Sequence, residues 1–187
     1  MALGVEATVT CSDLYPDSAT AGRLRREPGF SMHPEPVSAT AVPADIEGTR
    51  TLFTALHHFE PEQVRAMLLD AQTARRHFAA FEITHRSIKG LATTCLAPVL
   101  ALFLLPRVRP RRWLPLLLSY LPPLVPLAIA WDGMVSTLRS YRVEELEAMV
   151  AEFGTADYEW RVAELPSGTP LPLTCILGRP LDRGEHA

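Results

Sequence analysis

Cysteine is scarce in this chain, with Cys11, Cys95 and Cys175 odd in number and far apart. That excludes the paired Cys-x-x-Cys spacing of a zinc site and gives no disulfide framework, so all three read as buried thiols in a reducing compartment. A strong charge of either sign is also missing. A net charge of −3 supplies no field for holding nucleic acid, which leaves small-molecule, protein or lipid-like partners. The first twenty residues contain Glu6, Asp13 and Asp17 and lack a basic start followed by an apolar run. A secretory signal is therefore not expected there, and the soluble part of the chain is expected in the cytoplasm. No internal repeat is visible. What is present is ordinary for one globular domain: 187 residues, 48% of them apolar and 21% charged.

Strand and helix signals alternate along the chain. Val5 to Cys11 reads as a strand ending in the turn residues Ser12, Asp13 and Pro16. Ala19 to Arg26 can make one or two helical turns before Glu27-Pro28-Gly29 stops them, and prolines bracket a very short strand around Val37. Thr51 to Leu56 is an apolar run suited to a strand buried on both faces. Pro61 and Glu62 then open a helix whose apolar face is Val64, Met67, Leu68 and Ala71. Phe78 to Ile83 is the next strand. Glu144 to Phe153 repeats the helical period and is stopped by Gly154, and Tyr158, Trp160 and Val162 alternate as in a strand that pairs with Leu173 to Leu177 across a Pro-Ser-Gly-Thr-Pro break. The tail from Leu181 is expected to be loose. The expected fold is therefore α/β, with a parallel sheet closed by a C-terminal antiparallel hairpin.

An apolar interlude interrupts the pattern. Residues 90–106 form 17 positions without a charge and residues 113–131 form 19, each close to the ~20 needed to cross a bilayer as a helix. Arg107, Arg109, Arg111 and Arg112 lie between them, and Trp113 and Trp131 bracket the second run like interfacial anchors. A spanning hairpin with its arginines in the cytoplasm would put both flanking halves outside, whereas the reverse carries four arginines across. Pro115, Pro122, Pro123 and Pro126 also interrupt the second run. Three arrangements follow: a hairpin dipping into one leaflet with its arginines at headgroups, a two-span protein, or a soluble lid over a lipophilic substrate.

Several polar residues stand where α/β proteins place their chemistry. His57 and His58 follow a strand at its carboxyl end, where an imidazole can act as a general base or simply shape the entry to the next helix. No further His or Cys pair lies at ligand spacing from them, so no metal is expected. Glu82 and Thr84 leave the following strand as pocket residues or caps. Asp132, Arg139 and Tyr141 form a polar cluster beside the interlude, with Asp132 and Ser136 on one helical face. Arg139 suits an anionic substrate group held bidentately, or an internal salt bridge that fastens the interlude to the core.

The run Thr10-Cys11-Ser12-Asp13-Leu14-Tyr15-Pro16 resembles the second strand of class I S-adenosylmethionine-dependent methyltransferases. Val37-Ser38-Ala39-Thr40-Ala41-Val42-Pro43 resembles the segment after their third strand. Leu56-His57-His58-Phe59 with Pro61 resembles the entry to the helix after their fourth, and Trp131, Asp132, Gly133, Ser136, Leu138, Arg139 and Tyr141 resemble a bacterial branch of the family. The resemblance covers about Val5 to Pro180 apart from the interlude. It implies a Rossmann-like sheet carrying an inserted apolar helical hairpin at 90–131. It also implies S-adenosylmethionine as cofactor, with Asp13 on the ribose and Ser38 and Ala39 beside the adenine. His57 and His58 would be catalytic, and Asp132, Arg139 and Tyr141 would bind a small or lipid-like acceptor.

Two departures qualify what the resemblance implies. Ser38 stands where the family commonly has an acidic residue, which removes a charge but keeps a hydrogen-bonding group. No glycine-rich strand-loop unit precedes Asp13, and the 12 residues before it are too few for a strand, loop and helix. In the family that first strand lies between the second and the fourth, so two sheet edges are expected to face a gap. The chain alone is then not expected to hold the cofactor, and the alternative function is a non-enzymatic, membrane-associated protein on a decayed scaffold.

Overall fold

The computed structural model describes residues 7–107, 113–169 and 171–181. Val5, Arg109, Arg111, Arg112, Pro170 and the tail after Leu181 lie outside the described residues. The protein is mixed α/β, with two small sheets. In chain order the elements are β1 (Val9–Cys11), α1 (Ser18–Leu24), β2 (Phe30–Met32), β3 (Arg50–Phe53), a 3-10 turn (Leu56–His58), α2 (Pro61–Thr73), β4 (Phe78–Glu82), α3 (Ile88–Leu104), a 3-10 turn (Leu105–Arg107), α4 (Trp113–Tyr120), α5 (Leu124–Arg139), α6 (Val143–Ala151), β5 (Tyr158–Leu165) and β6 (Leu173–Pro180).

The single parallel sheet expected from the sequence is divided. β1 and β2 pair in parallel as one ribbon, while the second sheet has the order β3-β4-β6-β5. β3 and β4 run parallel, and β6 pairs antiparallel with both β4 and β5. The short strand expected around Val37 is instead a lone bridge between Ser38 and Ala41. The strand that pairs with β1 is Phe30–Met32, three residues long, following Gly29 with its φ of 80°. β3 also ends earlier than the apolar run suggested: Thr54 adopts a φ of 50°, and Leu56 belongs to the 3-10 turn.

The helices pack where their apolar spacing directs them. Val64, Met67, Leu68 and Ala71 of α2 and Leu146, Met149 and Val150 of α6 bury against Phe78, Ala80 and Ile176 on one face of the larger sheet. Each helix has a local start signal: Gln63 Oε1 accepts from the Glu60 N–H at 2.9 Å, and Glu145 Oε2 accepts from the Arg142 N–H at 2.9 Å. Gly178 is required on β6, since a Cβ there would meet the Trp160 ring at 2.5 Å and Tyr158 Oη at 2.7 Å. The other face of the sheet carries Phe53 and Leu177, exposed by 67% and 38%. Phe53 and Phe81 stack there with centroids 5.5 Å apart.

The apolar interlude is helical. Ile88–Arg107 is a 20-residue helical run long and apolar enough to cross a membrane, and α4 and α5 bend by 78° where they meet. Its interior is small and polar. Thr94 Oγ1 of α3 and Thr137 Oγ1 of α5 share a 2.9 Å hydrogen bond, and a Cβ on Gly133 would meet Thr94 Cγ2 at 2.7 Å. Tyr120 Oη of α4 donates to the Leu102 carbonyl at 2.5 Å, and Ser119 is buried. The large residues Leu96, Val99, Leu100, Phe103, Leu127 and Trp131 are exposed. Burial of all three cysteines does not hold: Cys175 is buried, Cys11 is half-buried, and Cys95 is exposed on α3.

Candidate functional site

Three of the residues singled out from the sequence meet in one place. Asp13, Ser38 and Ala39 line a cleft of about 490 Å³ together with Thr40, Arg50 and Thr51. The cleft lies between the turn that leaves β1 and the unpaired edge of β3. Arg50 N–H donates to His77 O at 2.9 Å and Thr54 N–H to Phe81 O at 2.7 Å, so the alternation of a strand turns the Thr51 and Phe53 N–H groups toward the unpaired edge.

Local structure sets the cleft's polar groups. Asp13 Oδ1 accepts from the Tyr15 N–H at 2.8 Å, the turn-capping role available to any Asp after a strand, while the carboxylate stays exposed. The Asp13 carbonyl accepts from Val37 N–H at 2.9 Å, which joins the two segments expected to meet the cofactor. Ser38 Oγ and Thr40 Oγ1 lie 2.8 Å apart, and Ala39 packs against the main core. Arg50 was not singled out from the sequence. Its Nη1 donates to Asp70 Oδ2 at 2.5 Å, and its buried Nε has no hydrogen-bond partner. A basic residue opening an otherwise apolar strand is the one signal that could have marked it.

His57 and His58 do not line this cleft, although Ala55 and Phe59 on either side of them do. His57 is buried, with Nδ1 3.0 Å from Glu82 Oε2, and its backbone N–H donates to the same oxygen at 3.3 Å. Thr84 Oγ1 donates to Glu82 Oε1 at 2.8 Å, and Ser140 Oγ donates to Thr84 at 2.7 Å. A buried carboxylate with this many donors is fully engaged. His58 is exposed, and its ring centroid lies 4.2 Å from that of His57.

The residues expected to bind an acceptor separate. Arg139 and Tyr141 line a second cleft of about 490 Å³ with Phe59, Glu60, Arg86 and Glu145, whereas Asp132 stands exposed two turns earlier on α5. Arg139 Nε donates to the His57 carbonyl at 2.9 Å and Nη2 to Glu60 Oε1 at 2.9 Å. Tyr141 Oη donates to the Phe59 carbonyl at 2.7 Å, and burial, followed by the nearby Glu60 carboxylate, pushes its phenol upward. Arg86 pairs with Glu145, which holds that carboxyl below its usual range. Residues 139–141 therefore fasten the end of α5 to the turn after β3. Among the described residues no three His, Cys, Asp or Glu side chains converge as a metal site. Comparison with protein-family models, curated proteins and solved structures returned no match.

Proposed function

We propose that this is a membrane-attached protein of the S-adenosylmethionine-dependent methyltransferase type, directed at a lipid-like acceptor. The observation that carries the reading is the strand order, β2-β1 on one side of the Asp13 cleft and β3-β4-β6-β5 on the other. One more parallel strand in that cleft would complete the 3-2-1-4-5 order of a doubly wound sheet, extended by an antiparallel hairpin. Such sheets bind ligands at the carboxyl ends of their strands, where the order reverses. Handedness agrees. The β3-α2-β4 connection places α2 on the core face, so a right-handed connection travelling the other way, from the cleft to β1, places its helix on the opposite face. That is the face on which Leu177 is left exposed.

The cleft residues suit the nucleoside half of the cofactor. Asp13 supplies carboxylate oxygens for ribose hydroxyls, and Ser38 and Thr40 place hydroxyls beside the base. No glycine lines the cleft, so the amino-acid half lacks the close backbone donors it needs. Bound cofactor would supply an electrophilic methyl group. His57 is buried, so of the two imidazoles only exposed His58 is open to an incoming acceptor. Membrane attachment is supported by the inverted interlude, whose small and polar residues face inward and whose large apolar residues face outward, as helices in lipid pack.

The same lack of glycine favours a second reading, a non-enzymatic membrane scaffold. Calorimetric titration with S-adenosylmethionine separates the two. One charged hydrogen-bonded contact contributes ~1.5–3 kcal/mol, against the ~8 kcal/mol of micromolar binding. The chain alone should therefore not bind, whereas a version carrying a glycine-rich strand-loop-helix unit ahead of Met1 should, and should lose binding with Asp13→Ala. Micromolar binding by the chain alone would refute the need for that loop. No binding by the extended, folded version would overturn the methyltransferase reading.

A further inference from the structure

Of the large exposed apolar residues outside the interlude, Val9 and Phe30 open β1 and β2 and Leu69 and Leu177 lie within α2 and β6, but six others gather at the carboxyl end of the strands. Phe53 ends β3, Ile83 follows β4 directly, and Leu165 is paired with Leu173 at the turn end of the β5-β6 hairpin. Because Glu164 and Glu82 both pair with Thr174, this turn lies level with the carboxyl end of β4. Leu14 and Tyr15 follow β1 directly, and Ser12 to Leu14 share their cleft with Ala55, just beyond the end of β3. Ile88, 87% exposed, begins α3 six residues after β4. Both ends of the sheet carry ion pairs, Arg75 with Asp157 at 2.7 Å and Arg179 with Glu159 at 2.6 Å at the opposite end, and His85 with Glu164 at 2.8 Å and Arg139 with Glu60 at 2.9 Å at this one, so the large apolar residues and not an absence of charge distinguish the carboxyl end.

Both roots of the helical interlude are fixed at this same apolar end. Ser87 caps α3, its Oγ accepting from Gly90 N–H at 3.1 Å, and a Cβ on Gly90 would meet the His85 carbonyl at 2.0 Å, so the chain turns sharply from β4 into the helix. At the other root, Ser140 and Arg139 bond to Thr84 and to the His57 carbonyl. A bilayer that holds α3 and α5 therefore meets the carboxyl end of the sheet and not the opposite end. Lys89 and Arg142 flank the roots, where cationic side chains meet anionic headgroups.

We infer that Leu14, Tyr15, Phe53, Ile83, Ile88 and Leu165 form an interfacial ring that seats the α/β body on the bilayer, with the Asp13 cleft opening at headgroup depth. The inference rests on the membrane reading of the interlude and goes beyond it by fixing which surface faces the lipid. A single large apolar or aromatic residue on a soluble surface needs no explanation, but six at one end, around the roots of an apolar hairpin, call for one. Tyr15, 83% exposed, has the amphipathic ring favoured at membrane interfaces. The acceptor class that suits such a mouth is a lipid whose reactive group lies at headgroup level.

The test places an environment-sensitive fluorophore on single cysteines in a chain with Cys11, Cys95 and Cys175 replaced by alanine. Substitutions Tyr15→Cys, Phe53→Cys and Leu165→Cys probe the ring, Thr49→Cys and Glu159→Cys the opposite end, and Val99→Cys the interlude. Each protein is bound to phosphatidylcholine–phosphatidylglycerol vesicles containing a lipid-borne quencher. The ring and Val99 labels should shift to the blue and lose most of their emission, and the two labels at the opposite end should not. Quenching at Val99 with water-like emission at all three ring positions would overturn the ring and leave the membrane reading intact. No quenching at Val99 would remove both. Hydrogen exchange of the unmodified chain on the same vesicles tests the ring without any substitution: amides of 13–15, 53–55, 165 and 167–169 should slow, and those of 47–49 and 155–159 should not, whereas equal behaviour of the two ends rejects the ring.

Discussion

His57 Nδ1 lies 3.0 Å from Glu82 Oε2, and only 5% and 3% of the two side chains is exposed. The contact joins the turn after β3 to the end of β4, and Thr84 and Ser140 carry it on to the end of α5. Removing the carboxylate leaves a buried imidazole, a backbone N–H and a hydroxyl without their acceptor. Glu82→Ala should therefore destabilise the protein by ~1–3 kcal/mol or more, the cost of leaving buried donors without a partner. Glu82→Gln, which keeps the shape and one acceptor oxygen, should cost less. Equilibrium unfolding in detergent micelles measures both. A Glu82→Ala cost below ~1 kcal/mol would mean that the network is not a structural joint.

Tyr158 offers a pH-dependent counterpart at the other end of the sheet. Its hydroxyl donates to the Arg76 carbonyl at 2.6 Å, and burial pushes its phenol up to about 12. Because the folded state holds this proton more tightly than the unfolded state, its contribution is complete below pH ~10, the ordinary phenol value. That contribution then falls as pH rises through about 12. Tyr158→Phe should flatten this alkaline loss while lowering stability near neutrality by ~1–3 kcal/mol, because the Arg76 carbonyl loses its donor. Unfolding midpoints measured at intervals from neutral pH up to about 12 would show it. An alkaline slope unchanged in Tyr158→Phe assigns the loss to other groups.

Much of this architecture was legible in the sequence, for identifiable reasons. Val64, Met67, Leu68 and Ala71 bury because their spacing makes one helical face, and the same holds for Leu146, Met149 and Val150. β2 was not legible, since Phe30-Ser31-Met32 is too short to show a period and gains its strand conformation from pairing with β1. Among site residues, the grouping of Asp13 with Ser38 and Ala39 was legible as a pattern. The Arg139 and Tyr141 contacts were not, because their acceptors are backbone carbonyls, which have no signature in sequence. Cys95 misled for a related reason: an apolar run reads alike whether its side chains point inward or outward.

The close approach of α3 and α5 gives a third prediction. With Cys95→Ser to remove the neighbouring thiol, Thr94→Cys and Thr137→Cys should oxidise to a disulfide, since the hydroxyls they replace are 2.9 Å apart. Gly133→Leu should abolish the cross-link, because even a Cβ at that position meets Thr94 Cγ2 at 2.7 Å. Cross-link yield read by gel mobility under non-reducing conditions decides it. An undiminished yield with Gly133→Leu would show that the two helices do not depend on this small-residue contact.

The last prediction concerns how the interlude is fastened to the body. Arg139 and Tyr141 hold one short turn, the first through the His57 carbonyl and the Glu60 carboxylate and the second through the Phe59 carbonyl. Arg139→Lys keeps the charge but loses the planar fork that reaches a carbonyl and a carboxylate together, and Tyr141→Phe loses one hydrogen bond. Each should cost ~0.5–1.5 kcal/mol. Because both act on the same short turn, the double variant should depart from the sum of the singles by ~0.5 kcal/mol or more. Hydrogen exchange of the His58 and Phe59 amides should quicken in either single variant while amides in α6 stay protected. Additive costs with unchanged exchange in the turn would show that Arg139 and Tyr141 are not acting there as a clamp, and would return both to the acceptor-binding role that their sequence context implies.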